Sequence, residues 1–331
     1  MLALPNIPEQ DVPVGKDESE NKIIREVGQK RAFDFSPQDY LEIARAHGII
    51  DTERAAKVSG SRFGYLLGAA ARLEIALVQF AFDTLAPHGF VPVIPPVLIT
   101  EKMMKGMGYV DSEQDREERY FLEKDSLYLV GTSEQSVGPM RADEVFREEE
   151  LPVRYGAFST CFRREAGSYG KDTHGILRVH QFDKVEMFSF AHPEKSREEH
   201  MFFLERQEEL MQKLELPYRV VRLCTGDLSH PSASTYDIQA WLPGQNGGHG
   251  EYRETHSTSN TTDFQSRRLN IRYRSKAGEG RQESRFVHML NGTAFAIGRT
   301  LIAILENYQQ KDGSVRIPSV LQKYIGGVKD I

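Results

Sequence analysis

Between Thr160 and Phe188 the chain reads TCFRREAGSYGKDTHGILRVHQFDKVEMF, and no other stretch constrains the fold as tightly. Phe162, Val179, Phe182, Val185 and Met187 give it strand character, while AGSYGKDTHG is turn chemistry. The pattern predicts two strands joined by a loop. Arg163 and Glu165 are two apart and share one face of the outgoing arm. Arg178, Phe182 and Glu186, spaced by four, share one face of the returning arm. A sheet face carrying two guanidiniums, two carboxylates and an aromatic ring is costly to bury without a ligand. It suits a nucleotide: Arg forks grip phosphate, the ring covers a base, and a carboxylate accepts from an amine. The same residues would also serve an exposed hairpin with surface ion pairs.

Of the 331 residues, 39% are hydrophobic and 27% charged, an ordinary globular composition with room for one large domain or two average ones. No apolar run approaches the roughly 18 residues of a membrane span. The start, MLALPNIPEQDVPVGKDESENK, lacks the basic-then-apolar pattern of a secretory leader. Cys161 and Cys224 are the only cysteines, too few for a four-sulfur zinc site. The expectation is a cytoplasmic chain with both reduced and Cys161 buried as a small hydrophobe. Net charge is −6, from 42 Lys and Arg against 48 Asp and Glu, which excludes a general polyanion-binding surface. Any RNA contact is local, and RRLNIRYR (267–274) and residues 163–178 are the richest basic windows.

Residues 1–35 read as an extended lead-in. FSPQDYLEIARAHG predicts a helix with Ser36 as N-cap, Pro37 at its first position and Gly48 as stop. Ser61–Leu85 predicts one long helix, closed by Pro87 and Gly89, and GFVPVIPPVLI (89–99) a strand broken by prolines. Glu194–Leu216 predicts a helix, and YRVVRLCTG, STYDIQAWLPG and RFVHMLNGT predict strands. His249 belongs to a Gly-rich solvated turn. AFAIGRTLIAILENYQ predicts the helix that closes the core, and GSVRIPSVLQKYIGG a short strand and helix. Antiparallel hairpins between separate helices argue for an α+β fold.

The Thr160–Phe188 hairpin resembles motif 2 of the class II aminoacyl-tRNA synthetases, and VHQFDKVEMF is like the seryl-tRNA synthetases in particular. The helix, Gly-Phe, strand and Pro96 of residues 70–99 resemble motif 1, and TAFAIGRTLIAILENYQ, carrying Gly298, Arg299 and Thr300, resembles motif 3 (290–309). The resemblance runs from LPNIP near Leu4 to YIGG near Gly327. It implies a class II catalytic domain over 36–331, an antiparallel sheet flanked by helices, and a homodimer joined through motif 1.

The resemblance also implies the ligands. Arg163, Glu165, Arg178, Phe182, Glu254, Ser257 and Arg299 would bind ATP, with Arg163, Arg299 and Glu254 as the catalytic set. Glu254 and Ser257 would hold Mg²⁺, an oxygen pair suited to a hard cation that keeps waters; a turn capped by Ser and Thr would use the same hydroxyls. Thr132, Glu134, Arg163, Glu186, Asn291 and Thr293 would bind L-serine. The implied activity is ATP-dependent formation of seryl-adenylate and transfer to the 3′ end of serine tRNA. No zinc and no membrane are expected.

Seryl enzymes normally begin with a long coiled-coil arm that grips serine tRNA, whereas this sequence opens at LPNIP and carries no sustained heptad pattern, so tRNA binding is expected to be weakened. His174 stands where an arginine is usual, and LSHPSAS (228–234) and GGHGE (247–251) also depart from the family. Two other readings stay open: an armless paralogue that activates an amino acid for a carrier, and a non-catalytic regulatory homologue.

Overall fold

In this computed structural model, residues 4–166, 172, 174–275 and 283–331 are described. Most of the motif 2 loop, at 167–171 and 173, lies outside them. The centre is an eight-stranded sheet built from β1 (Lys22–Val27), β2 (Phe90–Val93), β3 (Val153–Phe162), β4 (Gln181–Ala191), β5 (Tyr218–Arg222), β6 (Ser234–Leu242), β7 (Glu251–Asn260) and β8 (His288–Ala296). Their spatial order is β1-β5-β6-β7-β8-β4-β3-β2. Every neighbouring pair is antiparallel except β2 with β3. This is the expected α+β arrangement.

Helices α1 (Tyr40–His47), α2 (Ala69–Leu85), α3 (Ser196–Lys213) and α4 (Ile297–Tyr308) share one apolar core with the sheet, in which Leu77, Phe203 and Ile302 meet Val185 and Met187. Strand side chains alternate between faces, so the residues between Val185 and Met187 and their neighbours point away from that core. On β4 these are Lys184 and Glu186, while Phe182, nearer the strand's start, packs against the edge of the core.

Several boundaries differ from the sequence reading. The N-cap of α1 is Asp39, whose carboxylate accepts from the Leu41 and Glu42 amides; Ser36 and Pro37 lie upstream of it. Gly48 does stop the helix, in the left-handed region at φ 63°. The single helix read over Ser61–Leu85 begins only at Ala69. Gly60, Arg62 and Gly68 have φ of 88°, 61° and 52°, values no helix accommodates. Before them stands a separate short helix, Thr52–Ser59. The proline-broken strand is two: β2, and Leu98–Thr100, which pairs with Leu127–Leu129 in a small sheet. Pro95 and Pro96 between them cannot donate to a ladder.

Within the lead-in, a 3-10 turn at Glu18–Glu20 precedes Lys22–Val27, which is the edge strand of the main sheet, paired with β5. Asn6 is fastened too, donating from Nδ2 to the Pro231 and Thr261 carbonyls at 2.9 and 2.8 Å.

Candidate active site

Phe182, Lys184 and Glu186 line a cavity of about 670 Å³. Every residue that the sequence offers as a ligand opens into it: Thr132, Glu134, Arg163, Glu165, Arg178, Phe182, Glu186, Glu254, Ser257, Asn291, Thr293 and Arg299. They converge by routes that simple alternation does not give. β3 ends at Phe162, so Arg163 and Glu165 lie beyond the strand, with Glu165 at φ 53°. Arg178 precedes β4, which starts at Gln181. An ion pair between Arg178 Nη1 and Glu165 Oε2, 2.6 Å long, draws the two arms together.

The partner strands supply the rest. Glu186 stands opposite Thr293 in the β4–β8 register, and the Thr293 hydroxyl donates to Glu186 Oε2 at 3.3 Å. On β7 the register steps from His256 opposite Ile238 to Glu254 opposite Gln239, so Thr255 is an inserted residue, a β-bulge. The bulge brings Glu254 to the cavity side with Ser257. Arg299, at the start of α4, donates to the Glu254 carbonyl at 2.8 Å and pairs with its carboxylate at 3.1 Å. Crowding around Glu254 raises its pKa, but Arg299, followed by Arg163 and Arg178, outweighs this and leaves it below the ordinary range. The neighbouring Asp237, hydrogen-bonded to Ser257, moves the opposite way: burial and then the Glu254 charge hold it well above its usual value.

A second cluster occupies the inner end of β4. Lys184, 5% exposed, and Glu186, 2% exposed, form an ion pair of 2.5 Å, and Lys184 Nζ also donates to the Thr132 hydroxyl at 2.8 Å. Glu134 is buried and accepts from the Tyr109 hydroxyl. Burial, then the Glu186 charge, push the Glu134 carboxyl up to about 7. Above the cluster, Arg163 donates from Nε to the Gly131 carbonyl at 3.2 Å, and its guanidinium stands 5.2 Å from the centre of the Phe182 ring.

A brace from outside the cavity positions the wall that carries Arg299. Glu306 of α4, fully buried, accepts from the Tyr40 and Gly244 amides at 3.1 and 2.8 Å. The Tyr40 hydroxyl accepts from the Ile176 amide at 3.0 Å, and the adjacent Leu177 carbonyl accepts from Arg299 Nε at 3.4 Å. Gly298 lies against this segment, where a Cβ would stand at ordinary contact distance, 3.4 Å, from the Ile176 carbonyl oxygen.

The sequence reading missed Lys184, Tyr109 and Arg119, all on the cavity wall. Lys184 had a signal, since it sits between Phe182 and Glu186 at strand spacing. Tyr109 and Arg119 had none, as they lie in a stretch without a motif. Of the departures noted, Ser229 also reaches the cavity and hydrogen-bonds Ser232 at 2.7 Å. His249 is exposed, as expected.

Glu254 and Ser257 supply one carboxylate and one hydroxyl on the same side, a fit for Mg²⁺ that takes its other oxygens from phosphate and water. Among the described residues, no group of three or more His, Cys, Asp or Glu gathers into a metal centre, and no helix is long and apolar enough to cross a membrane.

The family model for the tRNA synthetase class II core domain (G, H, P, S and T) matches residues 119–308. The serine–tRNA ligase of Thermodesulfovibrio yellowstonii is 49% identical over 326 residues, 98% of this chain and 75% of that protein. That of Thermobifida fusca is 50% identical over 98% of this chain and 74% of its own length. The crystal structure of seryl-tRNA synthetase from Pyrococcus horikoshii complexed with ATP superposes with a TM-score of 0.93 at 45% identity, covering 100% of this chain and 76% of that one. With the antiparallel sheet, the motif 2 and motif 3 regions meeting in one cavity and identity near one half along its whole length, the chain belongs to the seryl-tRNA synthetase family of class II aminoacyl-tRNA synthetases.

Proposed function

We propose that the chain activates L-serine with ATP to seryl-adenylate and transfers the seryl group to the 3′ end of serine tRNA. The observation that carries this is the meeting, in one cavity, of an amine-binding cluster with a phosphate- and base-binding wall: Glu134, Glu186, Thr132 and Thr293 beside Arg163, Phe182 and Arg299. The serine ammonium is taken by Glu186 and the Thr132–Glu134 loop. Thr293 and Asn291 close on the hydroxyl. Phe182 carries the adenine, Glu165 accepts from its amine, and Arg178 and Arg299 meet the outer phosphates.

The serine carboxylate, already ionised at neutral pH, attacks the α-phosphorus and pyrophosphate leaves. Positioning and charge neutralisation by Arg163 and Arg299 suffice, so no general base is assigned. Glu254 and Ser257 would hold Mg²⁺, which would supply charge neutralisation at the phosphates. A hydroxyl-binding pocket strands its own buried polar groups when alanine enters, which allows discrimination of roughly 10⁴-fold by binding alone.

Two copies joined through motif 1 are part of this proposal. Ile75 on α2, Val91 on β2 and Ile94 just beyond it are 68%, 54% and 83% exposed, a surface an isologous partner would cover. The work is placed in the cytoplasm, where the two free cysteines stay reduced.

The test is serine-dependent ATP–pyrophosphate exchange beside charging of serine tRNA by the same preparation. Exchange with serine, none with alanine and charging of tRNA are expected. Exchange without charging would promote an activator for another acceptor, and no exchange with any amino acid would overturn the enzymatic reading.

A further inference from the structure

Arg119 belongs to none of the three motifs, yet its side chain enters the cavity from the segment after the short helix Glu113–Glu117. Its Cζ stands 5.4 Å from the centre of the Tyr109 ring, whose hydroxyl donates to Glu134. The Nε–H of Arg119 is shut off from solvent and has no hydrogen-bond partner among the described residues. One long hydrogen bond, Nη1 to the Glu118 carbonyl at 3.4 Å, holds the head. Arg163 is close enough for the two cations to repel, and burial and that repulsion both lower the Arg119 pKa. Two neighbouring guanidiniums with an unfilled donor form a receptor for an anion.

Which anion follows from the neighbours. Arg178 and Arg299, on the phosphate-facing wall, are engaged with Glu165 and Glu254. Arg119 instead lies over Tyr109, whose hydroxyl reaches Glu134, so it faces the amine cluster. A zwitterionic amino acid whose ammonium meets Glu134 and Glu186 carries its carboxylate only two bonds further on. We propose that Arg119 binds the α-carboxylate of the amino acid, sharing it with Arg163 and freeing Arg163 to turn to the α-phosphate of ATP. This inference rests on the serine reading and adds a binding residue to it.

The experiment is calorimetric titration of L-serine and of L-serinamide, which keeps the amine and hydroxyl but has no carboxylate, into the wild-type protein, Arg119→Gln and Arg119→Lys. Loss of a charge-assisted fork weakens serine by roughly 10- to 100-fold in the Gln variant, while serinamide changes by less than about threefold. The Lys variant, which keeps the charge without the planar fork, falls between, and it carries the comparison if the Gln variant fails to fold. Parallel weakening of both ligands, as a structural role would give, overturns the proposal, and so does unchanged serine binding. A wild-type protein that binds no serine and supports no exchange overturns the parent reading instead, and this inference with it.

Discussion

The Glu254 carboxylate and the Ser257 hydroxyl face the same cavity although they stand three positions apart on one strand. Strict alternation would send them to opposite faces; the inserted Thr255 turns Glu254 back. Arg299 then fixes the carboxylate in its ionised form. Glu254→Ala is expected to reduce serine-dependent pyrophosphate exchange by at least roughly 100-fold, and Ser257→Ala by less, with a higher Mg²⁺ requirement in both. Exchange at wild-type Mg²⁺ dependence in either variant would remove the pair from the metal site.

Lys184 neutralises Glu186 in a place with almost no water. Lys184→Met leaves that carboxylate buried without its cation, a loss of about 3–5 kcal/mol when one member of a buried pair is removed. Thermal unfolding should show a clearly lower Tm, and added serine, whose ammonium can substitute for the missing charge, should restore more of it than in the wild type. An unchanged Tm would mean the pair is not held in solution.

That Arg163, Glu165, Arg178 and Phe182 would meet in one place was legible because such types are rarely gathered in so short a stretch, and Arg299 was reached through the motif 3 resemblance; all five line the cavity. Their geometry was less so. A bulge such as that at Thr255 leaves no mark in a two-residue period, and the left-handed turns at Gly60, Arg62 and Gly68 interrupt a stretch whose apolar spacing still reads as helix. Arg119 and Tyr109 were illegible for another reason. Single polar residues in a loop acquire meaning only from what the chain folds against them.

Thr293 donates to Glu186 and is proposed to close on the substrate hydroxyl. Thr293→Val keeps the shape and removes the donor. Discrimination of serine over alanine, read as the ratio of kcat/KM in exchange, should fall by roughly 10- to 100-fold, mainly through slower serine. A preserved ratio would assign hydroxyl recognition elsewhere in the pocket.

His200 is 3% exposed and hydrogen-bonded to the Thr258 carbonyl at 3.0 Å. Burial lowers its pKa from 6.5 to about 4. Between those values the unfolded chain binds the extra proton and the folded one does not, so stability is full above pH 6.5 and is lost as pH falls toward 4. Denaturant midpoints measured across pH 4–7 should decline on the acid side, and His200→Gln should flatten that decline. An acid limb of the same steepness in the variant would assign it to other groups, His256 and His288 among them.

The apolar trio on α2 and β2 gives a size prediction. Ile94→Asp, at a side chain 83% exposed, costs little in a monomer, whereas in a motif 1 dimer it places a charge in the contact. Sedimentation should show the dimer dissociating to single chains, while a wild-type protein already monomeric at micromolar concentration would refute the assembly.

The brace through Tyr40 bears on where a working unit can be cut. Family matching covers 119–308, but the Tyr40 hydroxyl that receives the Ile176 amide, and the amide that Glu306 receives, belong to a helix nearly eighty residues upstream of that span. Trimming to the matched region would take from the buried Glu306 carboxylate one of its donors, leaving those of Gly244 and Gln245, and would unfasten the segment whose carbonyl steadies Arg299. The smallest autonomous fragment is therefore set by hydrogen-bond closure, not by motif boundaries, and it reaches back at least to Asp39.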